Sequence, residues 1–303
     1  MAETTANPLT YYAYPGLMTT PGEHAALLQG LPEAIPALCA IVQHNLLHVH
    51  WAERYGSPLP PERRAEVNIR RASTMLAGIA ARDDRLLTLP RPVDRQQVGN
   101  CRHFAVMLST LLRHQGIPAR ARCGFGAYFT PGQFEDHWAC EVWNEAERRW
   151  VMVDPQLDAL QIEALGVTFD PHDVPAGQFI VAGRAWQMCR RGEADPETFG
   201  IFDMRGLWFV WGNLLRDLAA LNKMELLPWD CWGLMETDDP GSDEALAVYD
   251  RVAELTLGID DDFGAVRSLY DSDPDLRVPP EIISYVDGKP EIVNILAGEE
   301  FPA

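Results

Sequence analysis

Gly99-Asn100-Cys101-Arg102-His103-Phe104-Ala105-Val106-Met107-Leu108-Ser109-Thr110-Leu111-Leu112-Arg113-His114-Gln115-Gly116-Ile117-Pro118 decides how the chain reads. Phe104, Leu108, Leu111 and Leu112 fall on one helical face, Asn100 is a good N-cap, and Gly116 followed by Pro118 is a good stop. Cys101 is therefore expected in the first turn of a buried helix. Unpaired N–H groups and the positive end of the helix dipole stabilise an anion there, which favours the thiolate, the form that attacks.

Outward from this helix, Ala119 to Phe125 alternates small or apolar residues with polar ones or glycine, as a half-buried strand does. A turn-rich stretch around Pro131 and Gly132 leads into a second strand, His137 to Trp143, with His137 at its entrance. Asn144 to Arg149 is a short polar connection, and a third strand ends at Asp154. With the helix across an antiparallel sheet, strands two and three are neighbours, and His137 and Asp154 can lie side by side. In such a site the histidine takes the thiol proton and later protonates the leaving group, while the aspartate fixes its tautomer. Cys101, His137 and Asp154 are the candidates for the three roles.

Gly99-Asn100-Cys101, the run from Leu111 to Arg120, His137-Trp138 with Glu141-Val142, and Trp150 to Pro155 together resemble the core of the transglutaminase-like superfamily. The resemblance covers roughly residues 95–158. It implies a papain-like fold in which Cys101 is the nucleophile, His137 the base and Asp154 the orienting acid. Transglutaminases, bacterial cysteine proteases, peptide N-glycanases and inactive members share that fold, so the resemblance does not fix the acceptor. One oxyanion donor would be the Cys101 N–H; Gln96, Gln97 and Asn100 are candidates for the second, of which Asn100 has the competing task of capping the helix and Gln97 is preferred, although the sequence does not decide between the two glutamines. Arg102 and Trp138 are candidates for contact with substrate. His103 and His114, on the same helix as Cys101, are read as solvent-facing or supporting residues.

The rest of the chain sets the surroundings. At 303 residues and 47% hydrophobic content it can bury a large core. A net charge of −19 with no basic tract opposes nucleic acid and anionic membranes as partners. The start has no basic region followed by an apolar stretch, and six scattered cysteines suggest reduced thiols, so a cytoplasmic protein is expected. Residues 1–90 read as mainly helical, with helices over Ile35 to Tyr55 and Pro61 to Arg82; Pro90 to Pro92 marks a junction. His44 and His48 have a metal-sharing spacing, but Asn45 stands where a zinc protease needs glutamate, so no metal is expected. Beyond Asp158, Phe179 to Arg190 and Gly206 to Leu227 read as helices, the second dense in Trp and Leu for packing. Asp271, Asp273 and Asp275 lack the glycine and glutamate of a calcium loop. The acidic stretches Glu236 to Glu244 and Asp260 to Asp262 read as solvated loops and helix starts. No phosphate-binding or dinucleotide motif is present, and no cofactor is expected.

The expectation is an α+β protein: a papain-like core over 91–160, helix packed on antiparallel sheet, between mainly helical regions at 1–90 and 161–303. Its expected activity is hydrolysis of a peptide or other amide through a Cys101 thioester, with transfer to an amine as the alternative. A catalytically silent scaffold is the reading from a different class. The expected partners are a peptide or small-molecule amide and an amine acceptor.

Overall fold

The computed structural model describes residues 7–236, 243–299 and 301. From the N-terminus the chain forms α1 (Pro8–Tyr12), α2 (Ile35–Asn45), β1 (Leu46–His48), α3 (Pro61–Arg64), α4 (Ala72–Arg82), β2 (Gln97–Gly99), α5 (Cys101–His114), β3 (Ala119–Gly126), β4 (Phe134–Asn144) and β5 (Arg149–Val153). It continues through α6 (Ala159–Leu165), β6 (Phe179–Val181), α7 (Ala182–Arg190), β7 (Phe199–Ile201), β8 (Met204–Arg205), α8 (Leu207–Leu221), β9 (Asp230–Cys231), α9 (Asp243–Leu257), α10 (Phe263–Ser272), β10 (Glu281–Val286) and β11 (Lys289–Asn294). The protein is α+β, with mostly antiparallel strands. Of the acidic stretch Glu236 to Glu244, residues 237–242 lie outside the described residues, while Asp243 and Glu244 open α9 as acidic helix starts do. Among the described residues no helix is long and apolar enough to cross a membrane.

The chain divides into two compact units. One comprises Tyr12–Ala121, Ala139–Val174 and Gly298–Ala303; the other comprises Met1–Tyr11, Arg122–Trp138 and Pro175–Ala297. In the first, Leu38 and Val42 of α2, Met75, Leu76 and Ile79 of α4, and Phe104, Leu108, Leu111 and Leu112 of α5 share one core with Cys140, Val142, Val151 and Val153. The last four come from an antiparallel ladder running from Cys140↔Val153 to Asn144↔Arg149. The alternation of buried Val151 and Val153 with less buried Trp150 and Met152 places that ladder's apolar face against α5.

Two expected helices are shorter than their periodicity suggests. The segment read as helical from Ile35 to Tyr55 ends at Asn45, whose buried side chain donates to the carbonyls of Ile41 and Leu87 and accepts from Arg91. Leu46–His48 then pairs in parallel with Gln97–Gly99, giving the strand before Cys101 a fixed neighbour. Residues Pro61 to Arg82 break into α3, a 3-10 turn and α4. There Glu66 is buried and accepts from Arg63, Arg82 and the Val98 N–H.

In the other unit β6 pairs with β3, β4 with β7, and β7 with β8. Phe179 to Val181 is strand β6, so the helix expected from Phe179 begins at Ala182. Helix α8 is buried along almost its whole length. Its Trp211 stacks on Tyr249 with centroids 5.6 Å apart, so this indole is a packing element. Asn213 and Asp217, one turn apart, are the polar exceptions. The Asn213 amide donates to Asp136 and to the Gly124 carbonyl. Asp217 accepts two bonds from the Arg122 guanidinium and one from the Cys123 N–H. A sheet of β9, β10 and β11 completes the unit and adds strands to a region expected to be mainly helical.

Candidate active site

Cys101 is the first residue of α5, a free thiol 8% exposed. The start of that helix is fixed by a capping box: the Asn100 N–H donates to His103 Nδ1 at 3.1 Å, and the Asn100 side chain accepts from the His103 N–H. On the far side of the ring, His103 Nε2–H donates to the Ile69 carbonyl at 2.8 Å. His103 is thus a supporting residue. Burial first, then the charges of Arg102 and Arg70, push its pKa from 6.5 down to about 3 against the pull of the Ile69 bond.

That depression makes the fold sensitive to acid. The unfolded imidazole takes a proton near pH 6.5 and the buried one only near about pH 3, so between these values the unfolded chain binds more protons. Stability is complete above about pH 6.5 and falls as the pH is lowered through the window. Urea unfolding should show the parent less stable at pH 5 than at pH 7, with a smaller difference in His103→Gln. Equal pH dependence in both proteins would refute the assignment.

Asp154 directly follows the last paired residue of β5 and is buried. Its N–H donates to the Pro171 carbonyl and its Oδ1 accepts from the Gln156 N–H. Gln43 of α2 donates to the carbonyls of Pro155 and Leu157, tying the turn after Asp154 to the same unit. Cys39 of α2 feels the Asp154 charge: its thiol is pushed far up, by burial first and then by Cys140, Asp154 and Asp170.

Gln97 is fully buried on β2; its Oε1 accepts from Arg82 and its Nε2 donates to the Val98 carbonyl, both at 3.1 Å. Gln96 donates weakly to the Gln43 and Arg91 carbonyls. Arg102 and Trp138 are fully buried, and the Trp138 indole N–H has no acceptor among the described residues. His114, at the end of α5, is exposed.

His137 belongs to the other unit, on β4, three residues inside the strand rather than at its entrance. It is 1% exposed, and three aromatic rings stand against its imidazole: Phe129 at 4.8 Å, Tyr128 at 5.9 Å and Phe179 at 6.1 Å, all edge to face. Glycines make room for them. A Cβ on Gly126 would meet Phe129 at 2.6 Å and Tyr128 at 3.1 Å, and one on Gly124 would meet Phe179 at 3.0 Å. This collar had no signature in the sequence beyond the clustered Tyr128-Phe129. The neighbouring Asp136 turns to Asn213; burial pushes its carboxyl up, opposed by that bond and by Arg216 and His137.

Cys101 and Asp154 thus lie in one unit and His137 in the other. Among the described residues no group of three or more His, Cys, Asp or Glu side chains is placed to hold a metal ion.

Residues 69–155 match the transglutaminase-like superfamily. The matched stretch contains Cys101, His137 and Asp154 and begins three residues before α4, upstream of the expected junction at Pro90 to Pro92. Enzymes of this superfamily are in general cysteine-dependent, and the match points to acyl transfer or hydrolysis. Among solved structures, the crystal structure of red sea bream transglutaminase is similar at 19% identity over 49% of this chain, with a TM-score of 0.30. The similarity spans 30% of that transglutaminase. No curated protein matches the chain.

Proposed function

We propose that the protein is a transglutaminase-like cysteine hydrolase of papain-like arrangement that cleaves a peptide or small-molecule amide. Cys101 attacks the carbonyl, His137 takes the thiol proton and returns it to the leaving nitrogen, and Asp154 orients the imidazole. Water then attacks the thioester and regenerates the thiol. The carrying observation is the position of Cys101: the first residue of a helix whose start is fixed by Asn100 and His103, inside the stretch similar to the superfamily. The Cys101 N–H at that helix start supplies one oxyanion donor, and Gln97, held by Arg82, is the candidate for another. The ladder supports the other two roles. His137 stands three residues before Cys140 on one unbroken strand, and Asp154 follows Val153, the residue paired with Cys140. Transfer to an amine is the second reading, favoured by the aromatic rings that cover His137.

Iodoacetamide alkylation of each cysteine, followed by peptide mass spectrometry, tests the reading. Competition from the others is weak: burial raises the Cys39 and Cys231 thiols, and raises Cys189 to about 11 with help from Asp195. At pH ~6, below free-thiol ionisation near ~8.5, Cys101 should react well ahead of the other five and lose that lead in His137→Ala. A Cys101 no faster than the others at that pH, or a lead unaffected by the substitution, would sink the proposal.

A further inference from the structure

The amine side of the substrate can be read from the collar around His137. In the proposed reaction His137 protonates the leaving nitrogen, so that nitrogen must come within hydrogen-bond reach, roughly 3 Å, of the imidazole. Whatever the nitrogen carries then lies against the rings flanking the imidazole. Phe179 is almost fully buried and backs the histidine. Tyr128 and Phe129 are only half-buried, pack on each other with centroids 4.6 Å apart, and lie on the connection from β3 to β4. Their seat is built: the bare Gly126 beneath them leaves space that a methyl group would fill. The Ala127 N–H bonded to the Gln178 carbonyl and the Gln133 N–H bonded to the Thr130 carbonyl pin the connection at both ends.

We propose that Tyr128 and Phe129 form the subsite for the amine portion of the substrate and select leaving or attacking amines that carry an aromatic or other large apolar group. This rests on the cysteine-enzyme reading and deepens it by naming the class of amine. An aromatic group on the amine would extend the edge-to-face cluster and remove apolar surface from water, whereas a short alkyl group would reach little of it.

The test uses acyl transfer in the reverse sense of amide cleavage. p-Nitrophenyl acetate acetylates Cys101 with release of p-nitrophenol, and the acetyl group is located by the mass of the Cys101 peptide before any amine is added. An amine nitrogen then attacks the thioester carbonyl, the C–S bond breaks, and the amine proton passes through His137 to the departing Sγ. The products are the acetamide and the free thiol. With 2-phenylethylamine and propylamine in turn, the ratio of acetamide to acetate gives the efficiency of each amine. The full-length parent should favour phenylethylamine by at least about tenfold. The preference should fall to about twofold or less in Phe129→Ala and in Gly126→Ala, and persist in Phe129→Tyr. Comparing two amines within one preparation makes the readout independent of how much protein is active. Deacylation by water alone, equal efficiency of the two amines in the parent, or a preference that survives both disruptive substitutions overturns the subsite. If no acetyl group is found on Cys101, the enzyme reading falls and the subsite with it; if acetyl-Cys101 forms without amine selectivity, only the subsite falls.

Discussion

The Cys101→Ala variant should lose p-nitrophenyl acetate turnover by at least about a thousandfold and His137→Ala by roughly 10²–10⁴, with the double variant no slower than Cys101→Ala alone. The loss follows from the roles: without the thiol no thioester forms, and without the imidazole the thiol has no general base and the leaving group no acid. Non-additivity is the decisive part, because two residues acting as one unit cannot each remove the same step twice. Folding does not confuse the result at position 101. Cys101 is a helix-start residue whose neighbours Asn100 and His103 hold the cap by themselves, and alanine is a strong helix former. The thermal transition of Cys101→Ala should therefore stay close to that of the parent. An alanine variant retaining more than about a tenth of the parent turnover would place the chemistry elsewhere and favour the silent-scaffold reading.

The parts of the fold legible in the sequence were those fixed by local periodicity. Helix α5 and strands β3, β4 and β5 lie where the spacing of Phe104, Leu108, Leu111 and Leu112 and the alternation around Cys140 and Val151 place them. Contacts at a distance were illegible. Asn45 ends α2 because its partners are the Leu87 carbonyl and Arg91, more than forty residues away, and a helical pattern does not record that competition. The strand at Phe179–Val181 replaces an expected helical turn because Gly124, Phe125 and Gly126 of β3 pair with it. At the candidate site, order along the chain singled out Cys101, His137 and Asp154, but nothing in that order records that His137 is enclosed by rings from β6 and from the β3 to β4 connection. Capping by His103 was equally hidden. A histidine three residues after an N-cap is an uncommon substitute for the usual glutamate or glutamine, and only the Ile69 carbonyl on its far side fixes its role.

Asp217→Ala should be among the most destabilising single substitutions in the chain, at about 3–5 kcal/mol in urea unfolding. Asp217 is fully buried and Arg122 nearly so, and their bonds at 2.9 and 2.8 Å form a bidentate pair joining α8 to β3. The same carboxylate accepts the Cys123 N–H at 2.9 Å, so its removal takes three hydrogen bonds from β3 at once. The cost arises mainly from breaking a buried, bidentate charge pair by removing one member, and this separates the pair from exposed ones such as Arg251 and Glu254, worth at most about 1 kcal/mol. Replacing both members by apolar residues, Arg122→Met with Asp217→Leu, should recover much of the loss, because neither charge of the pair is then left behind. A single-variant loss below about 1 kcal/mol would show that water or a neighbouring group compensates Arg122. The consequence reaches function through β3. The strand that Asp217 fastens at Arg122 and Cys123, and that Asn213 holds at Gly124, continues to Gly126 and delivers Tyr128 and Phe129 to His137. Loosening it should therefore narrow the discrimination between phenylethylamine and propylamine under conditions where the variant is still folded, and the double replacement should restore it.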